Sequence, residues 1–149
     1  MPAQYSIRRA RPSDLPRILA VERAGFGEWA WDRNLFAEYT RTCGELFLVA
    51  LEGNKVVGYC IGRIDRGTAG IESIAVAPSV KGKGAADLLL RSLLRRLKRR
   101  GVSRVGLMVK ITNLRAIAFY ERQGFRRIRK IPHYYEDQQA GLLFHYYVR

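Results

Sequence analysis

At 149 residues, 48% of them hydrophobic, the chain has the length and apolar content of one globular domain, residues 1–149. Lysine and arginine outnumber aspartate and glutamate 27 to 13, giving a formal charge of +14. Such a field attracts polyanions (nucleic acid, a ribosome surface, a phosphorylated cofactor) and repels polycations. No apolar run approaches the ~18 residues that mark a membrane span. The N-terminal MPAQYSIRRARPSDLPRILA lacks the apolar segment of a signal peptide, so a cytoplasmic location is expected. Cys43 and Cys60, without CxxC spacing, fit a reducing compartment, and no metal site is expected from them or from the distant His133 and His145.

In chain order, QYSIRRA alternates and reads as a strand. A helix follows over PSDLPRILAVERAGF, with Ser13 as its expected cap and Leu15, Ile18, Leu19 and Glu22 on adjacent turns. WDRNLFAEYTR reads as a second helix. ELFLVALEGNKVVGYCIGRI holds two strands joined at Glu52-Gly53-Asn54, a hairpin signal. GIESIAVAP is a strand ended by Pro78. Ala85 to Arg100 is helical, with Leu90, Leu93, Leu94 and Leu97 at i, i+3, i+4, i+7 and a stop at Gly101. RVGLMVKI is a strand. NLRAIAFYERQG is a helix capped by Asn113 and closed at Gly124, and FRRIRKI and AGLLFHYYV are the last strands. The order implies a mixed α/β (α+β) domain, with a largely antiparallel first half and a βαβ unit in the middle.

The stretch VAPSVKGKGAADLLL turns a strand into a helix through lysines and small residues. Uncovered backbone N–H groups and the helix dipole converge there, which suits phosphate, with Lys81 and Lys83 adding charge. An ordinary turn with solvated lysines has the same composition. The loop matches neither the P-loop nor the dinucleotide fingerprint.

Lys81-Gly82-Lys83-Gly84-Ala85-Ala86 resembles the Q/R-x-x-G-x-G/A motif of the GNAT N-acetyltransferases, with lysine in first place. GLMVKITNLRAIAFYERQGFRRI resembles the family's following strand and its A-x-x-F/L-Y-E-x-x-G-F helix. The subgroup most similar is the bacterial ribosomal-protein alanine N-acetyltransferases, through Trp31 and Phe36 of FGEWAWDRNLF and the HYY at 133–135. The resemblance implies a sheet splayed between its fourth and fifth strands, with acetyl-CoA as co-substrate and no metal. Ile74, Ala75 and Val76 would pair with the pantetheine arm. Lys81, Gly82, Lys83, Gly84, Ala85, Ala86 and Asp87 would hold the pyrophosphate, and Asn113 would touch the cofactor or serve only as a cap.

Tyr120 matches the family's proton donor to the leaving thiolate; its other reading is a core tyrosine. Where the subgroup carries a glutamate base, this chain has Met108. Glu72 is the expected replacement, since strand alternation places it on one face with Val76; a water or no base at all stays open. Cys60 reads as inert core rather than a nucleophile.

The expected acceptor is a protein N-terminus, in a slot walled by Phe26, Trp31, Tyr134 and Tyr135, with Glu22 or Glu136 meeting its ammonium. A lysine or small-amine acetyltransferase, or a non-catalytic CoA- or nucleic-acid-binding module, are the alternatives. The arginines of the long helix, from Arg91 to Arg100, read as a solvated face or as a contact for ribosomal RNA.

Overall fold

The computed structural model describes residues 4–27 and 30–149. Glu28 and Trp29 of the FGEWAWDRNLF stretch, and residues 1–3 of the N-terminus, lie outside the described residues. The elements follow the expected order: β1 (Ser6–Arg9), α1 (Leu15–Phe26), α2 (Arg33–Thr42), β2 (Phe47–Glu52), β3 (Lys55–Asp65), β4 (Thr68–Val76), α3 (Ala85–Arg99), β5 (Arg104–Lys110), α4 (Leu114–Arg122), β6 (Arg126–Ile131) and β7 (Gly141–Tyr147). Among the described residues no helix is long and apolar enough to cross a membrane.

The seven strands found among the described residues form one sheet in the order β1-β2-β3-β4-β5-β7-β6. Every neighbouring pair is antiparallel except β4 and β5, which α3 connects in parallel. That parallel pairing is short. Thr68, Ala69 and Gly70 pair with Arg104, Val105 and Gly106, and then the two strands diverge, as the expected splay requires.

Apolar residues cover both faces of the sheet. On one, α3 and α4 bury Leu89, Leu90, Leu93, Leu97, Ile117 and Tyr120 against β2 to β5 and β7. On the other, α1 and α2 bury Ile18, Leu19, Phe36 and Tyr39 against Phe47, Tyr59 and Ile61. Four leucines at 89, 90, 93 and 97 make the buried stripe of α3; Leu94 is only half-buried, a shift from the expected set.

Three local details depart from the sequence expectations. Ser13 does not cap α1: it sits within a 3-10 turn, Pro12–Asp14, and the neighbouring Asp14 carries the bonds. The Asp14 carboxylate accepts the Arg11 N–H at 2.8 Å and both Arg8 guanidinium nitrogens at 2.7 and 2.9 Å. Secondly, β4 begins at Thr68 rather than Gly70. It follows β3 through a two-residue turn, Arg66 and Gly67, both at positive φ (52° and 82°), which suits the twist of a hairpin. Thirdly, β4 contains a bulge. Ile61 pairs with Ser73 while the next residue, Gly62, pairs with Ile71, so Glu72 is an extra residue without a β3 partner.

Candidate active site

The bulge changes where the β4 side chains go. Strict alternation would put Glu72 beside Ile74 and Val76; instead the extra residue shifts the phase. Ile74 and Val76 pack with the α3-side core, while Ser73 and Ala75 meet the α1–α2 side. Glu72 joins the second group: its Oε2 is the acceptor for the Tyr39 hydroxyl of α2, at 3.5 Å. The expectation that Glu72 shares a face with Val76 is therefore corrected. Glu72 stands on the face opposite to α3 and α4.

Tyr120 approaches from the α3–α4 side. It is 6% exposed, with its ring edge-on to Phe119 and Phe125 at 5.1 and 5.5 Å. Burial pushes its hydroxyl pKa up, and the nearby Cys60 and Tyr135 add to the shift. A phenol so placed keeps its proton at neutral pH and is held ready as a donor. Cys60, fully buried, has its thiol pushed up to about 12 by burial, and Sγ points at the Leu89 carbonyl. It is a core residue with little thiolate character.

Between these two faces lies the opening of the sheet. Beyond Gly70 and Gly106 the β4 edge from Ile71 to Val76 has no β5 partner, so its outward main-chain groups face the gap. At the end of that edge, a 3-10 turn (Pro78–Val80) leads into the lysine-glycine loop. Gly82 and Gly84 hold φ of 76° and 96°, and a Cβ on either would meet nothing within 4 Å. The loop is open space around a backbone that only glycine adopts without strain.

Gly84 is the N-cap of α3 and brings no capping side chain. The first helical bond runs from the Leu88 N–H to the Gly84 carbonyl, which leaves the N–H groups of Ala85, Ala86 and Asp87 outside the ladder. Lys81 and Lys83 are exposed beside them. These features fit a pyrophosphate. Asp87 is tied elsewhere: its carboxylate accepts Nε2 of Gln123, the C-cap of α4, a bond that links the start of α3 to the end of α4. Asn113 caps α4, with its side chain accepting the Ala116 N–H at 3.2 Å.

On the Glu72 face two loops rise beside the opening. Trp31, in the α1–α2 loop, packs at 5.8 Å from both Phe36 and Tyr39. Glu22 is 2% exposed and turned inward; one oxygen accepts the Trp31 N–H at 2.8 Å and the other the Tyr59 hydroxyl. Tyr59 also meets Ser73 Oγ at 3.0 Å, so a buried polar chain links the loop to the bulge. Glu22 thus acts on the loop backbone, and Glu136 and Phe26 stay exposed.

Opposite stands the β6–β7 loop. Tyr134 is half exposed and lies edge-on to Tyr135 at 5.0 Å. Tyr135, pushed up to about 12 chiefly by burial, sits 5.4 Å under the Lys110 ammonium. Lys110 Nζ also bonds Asp137 at 2.6 Å, and Thr112 Oγ1 bonds Gln139 at 2.6 Å, so the loop is pinned to the end of β5. Met108 lies on the same face, its ε-methyl and the Tyr134 ring both against Gly141.

Tyr39, Tyr59, Ser73 and the Lys110–Asp137 pair beside the expected Tyr135 are neighbours that sequence reasoning missed. Tyr59 and Ser73 signalled themselves only as polar residues inside apolar strands, and Tyr39 and Asp137 as ordinary helix and loop residues, none of which says which partner each one meets.

Comparison with known proteins supplies the family. Residues 11–125 match the model of the acetyltransferase (GNAT) family, and the chain belongs to that family. It is 30% identical, over 93% of this chain and 90% of the relative, to an N-alpha-acetyltransferase of Saccharolobus solfataricus. It is 29% identical, over 87% and 86%, to the [ribosomal protein bS18]-alanine N-acetyltransferase of Escherichia coli K12. The crystal structure of Ard1 from Thermoplasma volcanium superposes with a TM-score of 0.92 at 25% identity, covering 97% and 98% of the two chains. The protein is an acetyl-CoA-dependent N-acetyltransferase. The archaeal likeness, absent from the sequence expectations, stands beside the bacterial one.

Proposed function

We propose that residues 1–149 work as one domain that acetylates the α-amine of protein N-termini, drawn to RNA-bearing assemblies by its basic surface. The observation that carries the acceptor reading is the chemistry beside the open edge of β4: Trp31 packs on Tyr39, the Tyr39 hydroxyl donates to Glu72, and Tyr134 stands half exposed against Gly141 and Met108. Aromatic walls and one carboxylate suit an extended peptide with a single ammonium better than a polycation. The names of the archaeal and bacterial relatives support the same acceptor class.

Acetyl-CoA supplies a thioester whose pyrophosphate the Gly82–Asp87 N–H groups and Lys81 and Lys83 would hold, with Asn113 alongside. Main-chain N–H groups of Ile74 to Val76 would align the pantetheine arm and polarise the acetyl carbonyl. The amine nitrogen attacks that carbon from the Glu72 side; the C–N bond forms and the C–S bond breaks. Glu72, directly or through a water, takes the ammonium proton. Tyr120, from the opposite face, gives its proton to the departing sulfur. A weak base suffices for an α-amine, roughly a tenth to a quarter neutral near pH 7, whereas a lysine amine is almost wholly protonated.

The test is mass-spectrometric mapping of the acetyl group on peptides that carry both a free α-amine and an internal lysine. Label on the α-amine is expected. Label on lysine alone would overturn the reading and favour a lysine acetyltransferase; no label on either would favour a small-amine acceptor.

A further inference from the structure

The β1 edge of the sheet carries a surface that acetyl transfer does not use. On the α2 side of β1, Arg8, Arg9, Arg11 and Arg41 line a cleft of about 500 Å³ that also holds Thr40. On the α3 side, Arg95, Arg96 and Arg99 line a second cleft, of about 370 Å³, with Ile7 and Ser92. Arginines therefore wrap one sheet edge from both faces. The carboxylates paired into this group are Asp14 with Arg8, Glu38 with Arg41 and Glu45 with Arg100. Arg9, Arg11, Arg95 and Arg99 are exposed.

We infer that this edge is a docking surface for single-stranded RNA. Guanidinium groups match phosphate oxygens in two-pronged geometry. A flat membrane reaches one face of an edge strand, whereas a flexible polyphosphate chain can follow it round to the other. An acidic protein would want a contiguous apolar centre, whereas arginine makes up four of the seven residues lining the first cleft and three of the six lining the second. The first cleft also holds a hydroxyl placed to meet a ribose 2′-OH: Thr40 Oγ1 donates to the Ala37 carbonyl and keeps its acceptor side. β1 lies three strand spacings, roughly 14 Å, from β4, so bound RNA leaves the acceptor groove open.

The opposite edge, β6, provides the control. Arg126, Arg127, Arg129 and Lys130 are all exposed there, so charge alone favours both edges. Fluorescence polarisation with a labelled 12-nucleotide RNA, titrated at several KCl concentrations, tests the assignment. With four or five phosphates engaged, the slope of log K against log [KCl] should be about −3. Arg9→Ala with Arg99→Ala should weaken binding at least tenfold and flatten the slope by about 1.4. Arg126→Ala with Arg129→Ala removes the same charge and should cost less than threefold.

Both double variants should acetylate a free peptide within twofold of the parent, which verifies their folding; loss of peptide acetylation in the parent would count against the proposed function and not against docking. Equal losses from the two pairs would overturn the surface. So would tighter binding to anionic vesicles or polyglutamate, or single-stranded DNA of the same sequence binding as well as RNA.

Discussion

Tyr120 keeps its hydroxyl among aromatic rings on one side of the sheet opening, while Glu72 meets Tyr39 on the other. Removing that hydroxyl in Tyr120→Phe should lower turnover at least tenfold while acetyl-CoA binding, measured calorimetrically, stays within threefold. Unchanged turnover would take Tyr120 out of the chemistry. Because burial raises its pKa, no fall in rate from Tyr120 ionisation should appear up to pH 10. Glu72→Gln should damage turnover more than Met108→Leu, since a thioether takes no proton; equal effects would remove Glu72 as the base. Away from the site, Arg8 holds the Asp14 carboxyl below its usual range. The stabilisation from that pair is present above pH ~4 and is lost as pH falls through the lower, folded-state value. Asp14→Asn should therefore cost about 2–3 kcal/mol at pH 7 and progressively less in acid, read as converging melting temperatures.

At the scale of elements, the loop that opens α3 rests on a glycine at φ 96° and on N–H groups that nothing caps. Gly84→Val strains that backbone and narrows the approach to it. The KM for acetyl-CoA should rise at least fivefold with a smaller change in kcat; an unchanged KM would mean that the loop does not grip the cofactor. The order of strands and helices was legible because 2.0 and 3.6 periodicities and glycine stops are local signals. The β4 bulge was not. It exists because Ile61 and Gly62 choose partners one residue out of step, a decision made across strands and not along one. The same holds for Glu22, read as facing the acceptor but buried against Tyr59 and the Trp31 backbone. The Arg66–Gly67 hairpin was missed because arginine at positive φ is an uncommon turn residue.

Across the whole molecule, charge at +14 indicated polyanion contact but could not say where; only the fold gathers Arg9, Arg41, Arg95 and Arg99 around one edge. The glycine turn that opens α3 and the place of Tyr120 on α4 were legible by motif, and the neighbours of Trp31 and Tyr134 less so, because they come from loops far apart in sequence. One consequence concerns the sheet as a mechanical object. It is two blades, β1 to β4 and β5 to β7, joined edge to edge by three residue pairs near Gly70 and Gly106. That join is short, and the wedge above it is open on the side where the pantetheine arm would lie as an extra strand. Amide protons of Ile74 to Val76 that point into the wedge should exchange quickly with solvent and slow once that arm is seated. Protection that appears only with the co-substrate present would mean that it fills the wedge as an added strand and, for the length of a turnover, splints one half of the sheet to the other.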